Sequence, residues 1–363
     1  MRLSVERAKH HSTKVHSRKK WLVVAGVFLV VIVAILACYF VVRKPVDSAK
    51  PEPAKPTARS SAVQSKPSFT MAAMGDMLAH TAVLNNAKTE SGYSFTPFFS
   101  KVRSIYASAD TVFCNQEGLS AGAEYIISGY PSFNAPAQFS KDLKDGAGCN
   151  VINLANNHMG DKGVSATNAT ITAWQSLQPL ALAGANKSAD EQKKVQYFTK
   201  NGIKTAFLSF ADFNNNQSTP SYSVNIYHDT ALFESLLREA RQNADAVIVS
   251  MHWGTEDSGV INNDQRETVA RLAALGADVV IGTGPHVLQP AELVKRTDGG
   301  TMLVWYSLGN FLSAQLRIDE LIGGVAQFKF TKENEGKVSV SEPTFTPTYM
   351  HYTWIKKQED ADD

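Results

Sequence analysis

The chain has 363 residues, with 36 Lys and Arg against 34 Asp and Glu for a formal charge of +2, and no segment recurs at a fixed period. That length holds a large globular domain with its own core, and the lack of a repeat excludes a solenoid. The charge is unevenly spread: the first twenty residues carry +6, residues 43–67 carry +4 and the remainder is near −8, which excludes a nonspecific nucleic-acid surface on the main domain.

In residues 1–20, Arg2, Arg7, Lys9, Lys14, Arg18, Lys19 and Lys20 stand against Glu6 alone. Residues 21–42 follow without a charge and are mostly Val, Leu, Ile, Ala and Phe. At about 1.5 Å rise per residue this run spans a hydrocarbon core of ~30 Å. Trp21 and Tyr39 near its ends suit the two interfaces, and the basic leader places the N-terminus in the cytoplasm and the rest outside. A cleaved signal peptide is one alternative, but its apolar region is usually roughly 7–15 residues. Lipoprotein processing at Cys38 is another, disfavoured by the bulky Leu36 and by the apolar residues that continue past it. The expectation is an uncleaved single-pass anchor in the cell membrane. Residues 43–67 hold Pro45, Pro51, Pro53, Pro56 and Pro67 among Ala, Ser, Lys and Thr and read as an extended spacer.

Residues 68–331 then alternate short apolar runs with amphipathic segments. The runs at 69–74, 111–115, 151–154, 205–210, 246–251, 279–282 and 302–307 predict strands. The segments at 97–107, 137–147, 163–175, 230–242 and 264–275 predict helices. The alternation indicates an α/β class. Residues 332–363 read as a C-terminal extension with a strand-like 338–340 and a mobile acidic end. Polar clusters follow the strands: Asp76 after the first, Asn115 and Glu117 after the second, Asn156, Asn157 and His158 after the third, and His252 and His286 after two later ones. Ligands bind where the carboxyl ends of such strands converge. A single His in that position is more often structural, but five such ends together point to a metal or substrate site. There the amide oxygen of Asn157 ligates a hard or borderline cation, and His158 reaches a substrate oxygen that the cation holds. Cys114 and Cys149 both fall in strand-like apolar stretches. Two buried thiols are expected, with a disulfide as the alternative.

Met74-Gly75-Asp76-Met77-Leu78, Asn115-Gln116-Glu117, Phe133-Asn134-Ala135-Pro136, Asn153-Leu154-Ala155-Asn156-Asn157-His158, His252-Trp253-Gly254-Thr255-Glu256, Gly284-Pro285-His286 and Leu308-Gly309-Asn310-Phe311 occur in this order. Together they resemble the poly-γ-glutamate capsule biosynthesis family (CapA/PgsA-like), itself similar to the calcineurin-like metallophosphatases. The resemblance implies a four-layer αββα sandwich with a site at one edge. In metallophosphatases that site holds two cations about 3–4 Å apart. By position, Asp76 would ligate the first metal, Glu117 would bridge, Asn157 would bind the second, and His252 and His286 would complete the set. His158 would be the catalytic histidine. Leu78 and Gly284 stand where the phosphatase pattern has imidazoles, so the resemblance implies one metal or a weakly held pair, with His80 as a partial replacement. The donor set suits Mn, Mg, Fe or Zn. Around it, Asn115 would neighbour the ligands, Trp253 would stack on a ligand or fill a gap, Glu256 would orient a His or lie in an exposed loop, and Asn310 would bond the site's backbone. Pro136 would start a helix.

The functional expectation is a membrane-anchored extracytoplasmic protein of capsule biosynthesis or export. Its partners would be an anionic polymer such as poly-γ-glutamate, the bilayer, and integral-membrane synthase or export subunits, with no nucleic acid. Two alternatives are an extracytoplasmic metal-dependent phosphoesterase of the metallophosphatase superfamily and a noncatalytic scaffold of a membrane synthase.

Overall fold

A computed structural model describes residues 66–333 and 336–353. The basic leader, the apolar run at 21–42, the spacer up to residue 65 and the acidic end lie outside the described residues. Among the described residues no helix is long and apolar enough to cross a membrane.

The strands in chain order are β1 (Ser68–Leu78), β2 (Lys88–Thr89), β3 (Gly92–Tyr93), β4 (Thr111–Glu117), β5 (Val151–Asn153), β6 (Ala181–Ala183), β7 (Gln196–Lys200) and β8 (Ile203–Ala211). They continue with β9 (Ala246–His252), β10 (Val279–Thr283), β11 (Leu288–Lys295), β12 (Thr301–Leu308), β13 (Asn310–Leu312), β14 (Ile322–Lys332) and β15 (Val338–Tyr349). The helices are α1 (Thr81–Ala87), α2 (Thr96–Phe99), α3 (Arg103–Tyr106), α4 (Gln138–Asp145), α5 (Gly163–Ser176), α6 (Ala189–Gln192), α7 (Thr230–Asn243) and α8 (Asn263–Ala274).

One sheet runs β15-β14-β1-β4-β5-β6, with β13 added beside the end of β1; the other runs β11-β12-β10-β9-β8-β7. Both are mixed. β1, β4, β5 and β6 are parallel, as are β8, β9, β10 and β12, whereas β14, β15, β7 and β11 pair antiparallel. Alternation along the strands stacks the layers. Phe69, Met71 and Ala73 of β1 share one core with Phe207, Ile248, Val279 and Ile281 of the other sheet, so the two sheets lie face to face. Ala72 and Met74 point the opposite way, onto Phe139, Leu143, Ile171 and Trp174 of α4 and α5. On the far sheet Leu208, Val247 and Val249 meet Phe233, Leu236, Leu237, Val269 and Leu272 of α7 and α8. The order is helix, sheet, sheet, helix.

Three expectations change. The helix predicted over 97–107 is two single turns, α2 and α3, with Val102 at φ −110° between them and with Phe99 of one and Tyr106 of the other buried. The segment 338–340 belongs to the twelve-residue β15, which pairs along β14, so much of the C-terminal extension is the edge of the first sheet. Cys114 and Cys149 form a disulfide, not two thiols, with Cα atoms 5.7 Å apart. Cys114 lies opposite Ile152 of the adjacent β5, and Cys149 enters that strand from α4, so both sulfurs reach the helix-covered core.

Candidate metal centre

β1 reaches the site because Gly75 has no side chain. A Cβ there would stand 1.9 Å from the Gly309 carbonyl oxygen. The close approach lets the Asp76 N–H donate to that oxygen at 3.0 Å and buries Asp76 completely. The Asp76 Oδ1 accepts from Asn115 Nδ2 at 2.6 Å, and Oδ2 accepts from the Gly284 N–H at 3.1 Å. Burial alone would raise its carboxyl pKa, but the hydrogen bond and charge of His286, the charge of His252 and the Gly284 N–H outweigh it and hold it below the usual range.

Glu117 closes β4 opposite Leu78. Both of its carboxylate oxygens are buried and have no hydrogen-bond partner among the described residues. Burial pushes this carboxyl well above the usual range. His252 Nε2 and His286 Nε2 each lie 3.7 Å from Glu117 Oε1. His252, at the end of β9, has Nδ1 3.0 Å from Thr283 Oγ1 and Nε2 3.0 Å from Asn157 Oδ1. Burial pushes its imidazole down to about 4, so it stays neutral and able to ligate. His286 sits in the turn after β10 at φ +61°, with Nδ1 3.1 Å from Asn310 Oδ1 and 3.3 Å from Asp76 Oδ2. Burial alone would lower its imidazole pKa, but the charge of Glu117 and the hydrogen bond and charge of Asp76 outweigh it and push it up to about 10, so without a cation the ring carries the charge that faces both carboxylates.

Asp76, Glu117 and His252 each offer an atom lying within 4.8 Å of the others. A buried carboxylate without a hydrogen bond is costly unless a cation meets it. The Asn157 oxygen, the His252 nitrogen and the Glu117 oxygens therefore fit a divalent cation with ligands at roughly 2.0–2.2 Å. Asn310 holds the His286 ring, and Asn115 holds Asp76. Asn115 Oδ1 in turn accepts from Asn153 Nδ2 at 2.7 Å, and Asn153 Oδ1 accepts from the Ser209 hydroxyl.

The two departures from the phosphatase pattern have physical causes. Leu78 is buried and apolar beside Glu117. At Gly284, φ is +106° and a Cβ would lie 2.9 Å from the Trp253 carbonyl oxygen and 3.0 Å from its nitrogen. The position cannot carry an imidazole and supplies a backbone N–H to Asp76 instead. His80 Nδ1 accepts from the Ala314 N–H at 3.2 Å and its ring meets Phe133 edge-on at 5.0 Å; it is outside the group formed by Asp76, Glu117 and His252.

His158 Nδ1 lies 2.8 Å from Asp161 Oδ2, and the ring stands edge-on to Phe133 at 4.7 Å. The same Asp161 oxygen accepts from the Phe133 N–H at 2.7 Å, which fixes the carboxylate. Asn156 ties the loop by accepting from the N–H groups of Gly118 and His158. Trp253 fills a gap: it is buried, stacks on Tyr306 at 6.0 Å and donates to the Tyr306 carbonyl at 2.9 Å. Glu256 is exposed and lines a small hollow at the mouth with Asn157, Asp212, Phe213, His252 and Gly284. Pro136 opens α4 through its carbonyl, which accepts from the Phe139 N–H at 2.8 Å. Sequence reasoning missed Asp161, Thr283 and the Gly284 N–H. Asp161 had a signal, the three-residue spacing from His158; a backbone N–H has none.

Residues 70–315 match the family model described as "Bacterial capsule synthesis protein PGA_cap". The "PGA biosynthesis protein CapA" of Bacillus subtilis (strain 168) is 29% identical over 267 residues, 67% of this chain and 66% of that protein. The "Capsule biosynthesis protein CapA" of Bacillus anthracis is 34% identical over 190 residues, 50% of this chain and 44% of that protein. The chain thus spans less than two thirds of the length of either relative. Among solved structures, a protein described as a 5′-nucleotidase of Staphylococcus aureus superposes with a TM-score of 0.50 at 16% identity, covering 81% of this chain and 56% of that one. That likeness concerns the fold, which is metallophosphatase-like.

Proposed function

The chain belongs to the bacterial capsule synthesis protein family, and from that premise we propose that it acts outside the cell on a growing anionic capsule polymer of the poly-γ-glutamate type. Residues 21–42 would anchor it, and a divalent cation held by Asp76, Glu117, Asn157, His252 and His286 would meet the polymer. One observation carries the metal-site reading: the two buried, unbonded oxygens of Glu117 face two imidazoles. The near −8 charge of the main domain supports it too, since an anionic chain then needs a local positive site. The outward location is supported by the basic leader and by the Cys114–Cys149 disulfide, a bond that persists in oxidising compartments.

When bound, the cation supplies a Lewis acid for a carboxylate, amide or phosphoryl oxygen. The protein's own residues do the rest. Asp161 holds the proton of His158 on Nδ1, which leaves Nε2 to exchange a proton with a substrate or leaving group. Asn310 and Thr283 fix the imidazoles of His286 and His252.

The test has two parts. Elemental mass spectrometry of the purified full chain should find one or two equivalents of Mn, Fe or Zn, and the Asp76→Ala/His252→Ala variant should have none. Cells lacking the protein should lose surface polymer, and the Asp76→Ala/His158→Ala variant should not restore it. Full restoration would reject the metal-site reading. A metal-dependent phosphoesterase is the second reading, favoured by the His158–Asp161 pair beside the ligands. It requires turnover of an aryl phosphate with Mn or Zn in excess.

A further inference from the structure

Away from the metal centre, a cleft of about 370 Å³ opens where β6 meets β8. Its size is that of a small-ligand pocket. Ser209, Asn225 and Asn186 form its floor. They are buried and bonded in series: Asn225 Nδ2 donates to the Ser209 carbonyl at 3.2 Å, and Asn186 Nδ2 donates to Asn225 Oδ1 at 2.9 Å. The Ser209 hydroxyl continues the chain through Asn153 and Asn115 to Asp76. This polar chain lies among the buried apolar side chains Ile171, Phe207 and Leu208, which line the same cleft. On the walls stand Leu180, an exposed apolar side chain, and two opposite charges, Glu191 and Lys194. Glu191 accepts from the Lys187 N–H at 2.9 Å. Among the described residues no ion pair joins Glu191 to Lys194 or occupies the Lys194 ammonium.

A matching ligand carries an ammonium for Glu191, a carboxylate for Lys194, methylenes for Leu180 and amide groups for the floor. That is an α-amino acid head on a short amide chain. In a γ-linked glutamate chain the bond runs through the side-chain carboxyl. The amino-terminal residue therefore keeps both its α-ammonium and its α-carboxylate on one carbon, whereas interior residues show a carboxylate alone. We propose that this cleft binds the amino-terminal end of a γ-glutamyl chain, a site distinct from the metal centre; the identity of the ligand rests on the polymer reading above.

The test is calorimetric titration of the full chain with γ-glutamylglutamate and with its N-acetylated form, in the presence of chelator so that the metal centre plays no part. The free dipeptide should bind. Acetylation, Lys194→Ala and Glu191→Gln should each weaken binding by about tenfold or more. Lys194 is exposed, so its removal spares the fold. No binding at millimolar dipeptide, equal binding of the acetylated form, or undiminished affinity in both variants would overturn the proposal. If the dipeptide fails to bind while deletion of the protein still abolishes surface polymer, the cleft assignment alone falls. If deletion leaves the polymer intact while the dipeptide binds as expected, the polymer reading falls and the cleft stands as an amino-acid site.

Discussion

At Gly284 the backbone N–H donates to Asp76 from a conformation with φ +106°, and a Cβ would press on the Trp253 backbone at 2.9 and 3.0 Å. Gly284→Ala is therefore expected to cost about 1–3 kcal/mol in denaturant unfolding and to empty the metal site. A variant with unchanged stability and metal content would contradict this account. Glu117 poses the opposite case. Its buried carboxylate has no hydrogen bond, so without a cation it opposes folding. Glu117→Met should bind no metal, yet in chelator it should unfold about 1–3 kcal/mol later than the parent chain. Added Mn or Zn should reverse that order, which thermal melts with and without metal would show. That Asp76, Glu117 and His252 come together could be read from the sequence, because side chains at strand ends leave a pattern. Asp161 left only its three-residue spacing from His158, which means a contact only once the loop's path after Asn157 is known, and the Gly284 N–H left nothing, since it is common to every residue but proline.

The seven predicted strands fall within β1, β4, β5, β8, β9, β10 and β12 or overrun them by one residue, because their apolar runs are continuous and bounded by turns. Most of the elements missed are short or edge pieces; the exception is β14, eleven residues between β15 and β1, whose run opens on Gly323-Gly324 and is broken by Gln327 and Lys329. β6 and β13 have three residues each, and β15 is polar on much of its exposed length. Their place is set by neighbours, which local composition does not reveal. The disulfide was hidden for the same reason, since it depends on β4 and β5 being adjacent. It closes a loop with a sequence separation of 35. Cys114→Ser/Cys149→Ser should lower stability by about 2–4 kcal/mol. An equal melting curve for the variant and the untreated protein would mean that the thiols are free.

Across the whole molecule, one clamp ties the two sheets at the end away from the metal centre. Lys332, closing β14, donates to Asp245 at 2.8 Å, and the same carboxylate accepts from the Lys204 N–H of β8 at 2.9 Å. Burial would raise the Asp245 pKa, but Lys332 and the Lys204 N–H outweigh it and hold it below the usual range. Its contribution is present above the unfolded carboxylate pKa of about 4 and is lost as pH falls through the lower folded value. Asp245→Asn should thus cost about 1 kcal/mol at pH 7, with the gap to the parent chain closing under acid; a gap that widens below pH 4 would refute the sign. Ser68 and Asp76 occupy opposite ends of β1, roughly 26 Å apart at about 3.3 Å per residue. Between those points β1 is bonded on both flanks, to β14 and to β4. A force applied between Asp76 and Ser68 would run along the strand and load the two ladders in parallel, as shear, without unzipping them pair by pair. β1 is then a tension member, and the fold should yield to pulling along that line only at forces that break many bonds at once.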